Sequence, residues 1–220
     1  MLSEILVSSG RAIGHTVKPK RRVIVKPKWA YFLLPGLLFG TSSVLADKAI
    51  LAGGCFWCME SDFEKLPGVT DVISGFTGGT LKNPTYNGDH TGHYEAVEIT
   101  YDPDKVSYQE LLAHYWVNID PFDDRGQFCD KGHSYLSAIF VANDKERKIA
   151  EQSKREVEAQ FPDQQVVTPI LPAATFYPIT GDESHHQDYY KNNPVRYKFY
   201  RLNCGRDQRL QALWGDRATH

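Results

Sequence analysis

The chain has no Walker-type phosphate loop, no GxGxxG fingerprint, no internal repeat and no low-complexity block. Phosphate-loop and dinucleotide-cofactor chemistry therefore lack their usual sequence signature. Cysteine is scarce, with four residues at positions 55, 58, 129 and 204. An even count suits an exported chain that carries disulfides, but four are few for stapling a domain of this length. No second CxxC completes a zinc ribbon, and the adjacent His185 and His186 would leave a helix in different directions, poor geometry for one metal. The apolar run from Trp29 to Ala46 is interrupted by Pro35, Gly36 and Gly40, and it is short for a membrane span. Basic charge is not in excess either: the net charge is −2. Residues 1–46 hold seven of the 25 Lys and Arg and one acid, Glu4, which leaves 18 basic against 26 acidic residues, a balance of −8, in the rest. An acidic body of that kind argues against nucleic-acid binding.

The N-terminal 46 residues read as an address. Arg11, Lys18, Lys20, Arg21, Arg22, Lys26 and Lys28 precede the apolar run, which ends with Val44 and Ala46 spaced as in a small-residue cleavage site. This predicts an export signal cut before Asp47 and a periplasmic or secreted protein. The alternative is an uncleaved anchor through residues 29–46, with membrane contact there. The folded domain is expected over 47–220, long enough to bury a sizeable core.

The stretch Gly53-Gly54-Cys55-Phe56-Trp57-Cys58-Met59-Glu60 organises that domain. Ala49-Ile50-Leu51-Ala52 ahead of it is strand-like, and Phe56, Met59, Phe63 and Leu66 behind it recur at helical spacing. Two glycines allow a tight turn between the two, which puts Cys55 at a helix N-terminus, where unpaired N–H groups favour a thiolate. A buried core cysteine, half a zinc site and a thioredoxin-like redox pair remain alternative readings of the same residues.

Further on, strands are predicted at 69–76, 94–101, 137–141 and 166–171, with residues 176–178 extending the sheet. Helices are predicted from the Ser107–Glu110 capping box, from Asn143 to about Gln160, over 182–191 and over 207–214. Strands alternating with helices indicate a mixed domain with one sheet and helices packed on it. The polar segment from Gly78 to His93 is long for a compact domain, as functional loops often are. Alternation along Tyr94–Tyr101 places Glu95 on one face with Val97, Ile99 and Tyr101. A carboxyl on an apolar face has its pKa raised and can donate a proton near neutral pH; a solvated strand start is the competing reading.

Several motifs together resemble peptide methionine sulfoxide reductase of the A type. They are Gly54-Cys55-Phe56-Trp57, Gly75-Phe76-Thr77-Gly78-Gly79, Asn83-Pro84-Thr85-Tyr86, Thr91-Gly92-His93-Tyr94-Glu95, Asp130 through Tyr135, and His186-Gln187-Asp188-Tyr189. The resemblance spans about residues 48 to 215. It implies a two-layer α+β sandwich related to the ferredoxin-like plait. It also implies thiol-dependent reduction of peptidyl and free methionine S-sulfoxide, a protein-repair reaction that follows oxidative damage. By the same resemblance Cys55 attacks the sulfoxide sulfur, and Phe56 and Trp57 enclose its methyl group. Glu95 protonates the oxygen, Tyr86 and Tyr135 assist it, and Asp130 completes the site. A sulfenic acid on Cys55 condenses with a second thiol, and a thioredoxin-type dithiol restores the enzyme without metal or organic cofactor. The partners implied are oxidised proteins or peptides and that reductant. For the resolving thiol the order of expectation is Cys204, then Cys58, with Cys129 a structural thiol or relay. The readings that compete with this reaction are a general dithiol–disulfide oxidoreductase on Cys55 and Cys58, and a disulfide-stapled binding module.

Overall fold

The computed structural model describes residues 46–218, together with Gly14. The export segment expected over 1–46 thus lies outside the described residues apart from Gly14 and Ala46. None of the described helices is long and apolar enough to cross a membrane.

Strand β1 (Asp47–Gly53) leads into helix α1 (Phe56–Phe63), followed by β2 (Val69–Thr77), β3 (Tyr94–Tyr101), α2 (Tyr108–Val117) and a two-stranded hairpin, β4 (Gly126–Gln127) with β5 (Asp130–Lys131). Then come β6 (Ser137–Val141), α3 (Asp144–Gln160), β7 (Ile170–Pro172), β8 (Tyr177–Pro178), α4 (Tyr189–Asn192), α5 (Pro194–Asn203) and α6 (Arg206–Trp214). The main sheet runs β7-β6-β1-β3-β2-β8. All its pairings are antiparallel except β6 with β7, so the sheet is mixed. Within it, β1-α1-β2-β3-α2-β6 stand in the order β6-β1-β3-β2, the arrangement of a ferredoxin-like plait.

Period-two burial explains the sheet. In β3, Val97, Ile99 and Tyr101 face one core, together with Phe56, Met59 and Phe63 of α1 and Leu111, Leu112 and Tyr115 of α2. Each fully buried Phe or Leu contributes roughly 1.5–3 kcal/mol against exposure. The other face carries Ala52, Ala96, Ala138 and Phe140, covered by Ile50, Tyr94, Leu171 and Phe176. Helix α2 opens on the expected capping box: Glu110 N–H donates to Ser107 Oγ at 3.2 Å, and Ser107 N–H to Glu110 Oε2 at 2.8 Å. Helix α3 buries only Ala150, Ser153 and Val157, which leaves its charged residues to solvent.

Three elements differ from expectation. The strand predicted over 166–171 is regular only at 170–172: Pro169 accepts from Ile139 N–H at 3.0 Å but has no N–H to return, and Val167 N–H donates to Pro121 O at 2.9 Å, away from the sheet. The helix predicted over 182–191 is divided into a 3-10 turn at Gly181–His186 and the short α4. Asp188 breaks it, with φ of 52°, and its N–H donates to Glu60 Oε1 at 2.8 Å. Helix α5 was not foreseen; Pro194 occupies its first turn, where a missing N–H costs nothing.

Candidate active site

The turn from β1 to α1 is where the backbone is most constrained. Gly54 has φ of +83°, and a Cβ there would lie 2.6 Å from Gln127 Cβ. A Cβ on Gly53 would lie 2.4 Å from Met59 Sδ. Only glycine fits both places. Cys55 follows as the N-cap residue, and its carbonyl accepts from Cys58 N–H at 3.0 Å. Cys55 and Cys58, one turn apart, are both buried free thiols, and each shifts the other's titration.

Glu95 enters from the first residues of β3. It is 2 % exposed, and its Oε2 accepts from Phe56 N–H at 3.1 Å, so it lies on the first amide of α1. The buried reading of this residue holds over the solvated one. Burial pushes its carboxyl up to about 8 against that hydrogen bond, and the charges of Asp130 and Cys58 push the same way. Near neutral pH it is an acid with a proton to give.

The aromatic wall is built from four segments. Phe56 stacks on Tyr86 with ring centroids 5.8 Å apart, and Tyr86 lies 3.9 Å from His186. Trp57 stacks on Tyr189 at 3.8 Å, its Nε1–H donates to His186 Nδ1 at 3.1 Å, and it meets Tyr200 edge-on at 5.8 Å. Glu183, in the 3-10 turn at Gly181–His186, holds the long loop and Tyr86 with it, accepting from the N–H groups of Tyr86 and Asn87, both at 2.8 Å. Tyr135 ends the 3-10 turn after β5. Burial raises the phenols of Tyr86, to about 12, and of Tyr135, with the charge of Glu95 next in each case. Both therefore stay protonated as donors. Asp130 accepts from Tyr200 Oη, and burial raises its carboxyl.

The two thiols do not share charge as the helix N-terminus alone suggests. Burial, then the hydrogen bond and charge of Cys58, hold Cys55 well above an ordinary thiol. Cys58 is drawn down to about 7 by the hydrogen bond from Cys55, against burial and with help from Arg206 and Arg201. Burial thus works against charge on Cys55, while Arg206 and Arg201 favour it on Cys58. Those arginines are themselves buried: Arg201 pairs with Asp62 at 2.8 Å, and Arg206 donates to Asn118 O at 2.8 Å.

All the residues expected at the site converge, with one division among the cysteines. Cys129 and Cys204 form a disulfide with Cα atoms 4.9 Å apart, and their sulfurs lie 3.7 and 3.8 Å from the carboxylate of Asp130. Tyr200, Arg201 and Arg206 were missed, because each reaches the site from elements far along the chain. His186 belongs to the His186–Tyr189 motif, but the hydrogen bond it accepts from Trp57 spans 129 residues of chain, beyond any local pattern.

A neutral carboxylic acid beside a buried thiol pair and an aromatic wall suits attack on an oxidised sulfur whose oxygen must be protonated to leave. Residues 47–218 match the family model of peptide methionine sulfoxide reductase. The chain belongs to this family. It is 48% identical over 198 residues to peptide methionine sulfoxide reductase MsrA 2 of Caulobacter vibrioides, covering 89% of this chain and 99% of that one. It is 50% identical over 173 residues to the MsrA of Bacillus licheniformis, covering 77% and 94%. Among solved structures, methionine sulfoxide reductase A of Corynebacterium diphtheriae superposes with a TM-score of 0.59 at 32% identity, covering 68% of this chain and 76% of that one. Mxr1 of Saccharomyces cerevisiae in reduced form gives 0.62 at 26% identity, covering 68% and 87%. Like the family, the protein is an enzyme of thiol-dependent methionine sulfoxide reduction.

Proposed function

We propose that Cys55 attacks the sulfur of a peptidyl or free methionine S-sulfoxide, that Glu95 gives its proton to the oxygen, and that Cys58 resolves the product. The observation that carries this reading is the pair of buried free thiols, Cys55 and Cys58, one helical turn apart, with Glu95 on the amide next to Cys55. As Cys55 attacks, its proton passes to the Cys58 sulfur, already the charged member of the pair. Phe56 and Trp57 enclose the methyl group, while Tyr86 and Tyr135 donate to the oxygen as charge gathers there. Methionine leaves and Cys55 holds the oxygen as a sulfenic acid. The Cys58 sulfur then bonds to the Cys55 sulfur, water departs, and a Cys55–Cys58 disulfide remains. Cys204 is the first expectation for this step, but its sulfur is bonded to Cys129, whereas Cys58 is a free thiol one turn from Cys55.

A thioredoxin-type dithiol restores the two thiols, with oxidised proteins or peptides as substrates. The charge pattern of residues 1–46 supports export, with the mature chain starting at Asp47 and an anchor through 29–46 as the alternative.

The test uses the chain as the cell processes it, whose mass should begin at Asp47, with a peptidyl methionine S-sulfoxide and dithiothreitol. Turnover is expected for wild type and none for Cys55→Ser. One equivalent of substrate without reductant should leave a Cys55–Cys58 disulfide on peptide mapping. A Cys55–Cys204 linkage would restore the tail cysteine as resolver, and turnover by Cys55→Ser would sink the whole reading.

A further inference from the structure

Trp57 is half-buried, and three rings hold its indole. The stack on Tyr189, with centroids 3.8 Å apart and planes within 8°, fixes its tilt. Tyr200 closes one edge at 5.8 Å. A stack tolerates rotation in the plane, because both faces stay covered as one ring turns over the other. A hydrogen bond does not, because it is directional. Trp57 Nε1–H donates to His186 Nδ1 at 3.1 Å, between rings within 14° of parallel, and this bond sets the angle that stacking leaves free.

An indole N–H can only donate, so Nδ1 of His186 must be bare and the ring proton must sit on Nε2. A doubly protonated imidazole has no acceptor and breaks the bond. Burial, then the neighbouring His185, hold His186 below an ordinary imidazole against the pull of Glu183, which keeps the acceptor form near neutral pH. The ring is firmly placed. It is 4% exposed and ends the 3-10 turn Gly181–His186. Gln187, the next residue, accepts from Ser74 N–H at 2.8 Å and donates to Ser74 O at 2.7 Å, which locks this part of the chain to β2. Asp188 N–H ties the following residue to Glu60 of α1.

His186 also meets the opposite wall. Its centroid lies 3.9 Å from that of Tyr86 and 6.0 Å from that of Phe56. In the reaction proposed above, Tyr86 donates to the sulfoxide oxygen and Trp57 encloses the methyl group. One imidazole therefore sets the gap between the two. A sulfoxide sulfur is a chiral centre, and its hand is read from where oxygen and methyl are held relative to the rest of the substrate. A methyl wall free to swing would lose that reading first.

We propose that His186 is a positioning residue: through its bare Nδ1 it fixes Trp57 against Tyr86, and so fits the site to a methyl sulfoxide of one hand. The proposal rests on the reaction given above. His186 acts through Trp57 and not on the reacting atoms. Because Trp57 holds the methyl group before and during attack alike, loss of its placement weakens binding of substrate and transition state together.

Two variants separate the hydrogen bond from the ring. His186→Phe keeps an aromatic ring between Trp57 and Tyr86 but offers the indole no acceptor. His186→Asn gives up the ring, while its Oδ1 stands as many bonds from the backbone as Nδ1 did. With a peptidyl methionine S-sulfoxide and dithiothreitol, His186→Phe should raise KM by about three- to tenfold, the net worth of one hydrogen bond, and keep kcat within about twofold. Its preference for methyl over ethyl sulfoxides, as a ratio of kcat/KM, should fall by about tenfold, the lower end of what a fitted pocket gains from one methylene. The ratio of S to R epimer should fall with it. His186→Asn should bring KM and both ratios back to within about threefold of wild type. Nitrogen NMR of the wild-type protein, with His186 assigned by the signal that His186→Asn removes, should show a bare Nδ1 and a protonated Nε2 near neutral pH. A proton on Nδ1, an unchanged KM and methyl preference in His186→Phe, a fall in kcat alone, or a His186→Asn as impaired as His186→Phe would each overturn the proposal. Loss of wild-type turnover would instead overturn the reaction on which it rests, and leaves the NMR test of the hydrogen bond standing.

Discussion

Glu95 and Cys58 set the conditions under which the site can work. The charged sulfur is available above about 7, and the carboxyl keeps its proton below about 8. The free enzyme is therefore correctly protonated only in the band between them, so kcat/KM should rise through the first value and fall through the second. Glu95→Gln keeps a group of the same shape on the Phe56 amide but has no proton to give. Its turnover should fall by about 10²–10⁴, the usual worth of a general acid, with the descending limb gone and KM little changed. A pH profile of both forms decides it; equal losses in binding and turnover would mean that Glu95 only positions substrate. This residue was legible in the sequence because a period of two ties its direction to Val97 and Ile99, whose burial is plain from composition. Tyr200 was not legible, since its value lies in meeting Asp130 across 70 residues of chain, and no local pattern encodes that. The charge order of the thiols was misread for the same reason. A helix N-terminus is visible in sequence, whereas burial and the flanking Arg201 and Arg206 are tertiary.

At the level of elements, the strand–turn–helix around Cys55 was the most readable part of the chain. Apolar spacing, two glycines and the core stripe agree there, and consistency between local and global preference makes a segment readable. Helix α5 shows the opposite case. Its apolar residues are divided between an inner face, with Tyr197 against Cys58 and Tyr189, and the exposed Val195, Phe199 and Leu202, so no single stripe marks it. The readable element supports a test. Gly54→Ala forces an alanine to φ of +83° and drives its Cβ against Gln127. Gly215→Ala meets the same kind of strain at φ of +56° with nothing within 4 Å. Backbone strain alone costs about 1–3 kcal/mol. Urea unfolding should therefore show a larger loss for Gly54→Ala, and turnover should drop only there, because Gln127 and Cys55 must shift together. Equal losses would show that packing against Gln127 contributes nothing.

For the whole molecule, the buried acids make stability depend on pH. Glu95 rises to about 8, and burial raises Glu60 to about 7 while its Oε atoms accept from Asp188 N–H and Ser74 Oγ. Both carboxyls hold their protons more tightly folded than unfolded, so the folded chain binds more protons from about the ordinary carboxylate range up to those values. Their contribution is full below that range and is lost as pH rises through about 7 for Glu60 and about 8 for Glu95. Other groups oppose this slope. His114 and His186, lowered mainly by burial, favour the fold as pH rises through the range below an ordinary imidazole, and Cys58 does so above about 7. The carboxyl part is isolated by difference. Glu60→Gln/Glu95→Gln removes both titrations while keeping an acceptor oxygen at each position, so its urea midpoint should gain on that of wild type steadily from pH 5.5 to pH 8.5. A constant gap between the two chains over that range would mean that neither carboxyl is protonated in the fold, and the proton donor of the reaction would have to be sought elsewhere.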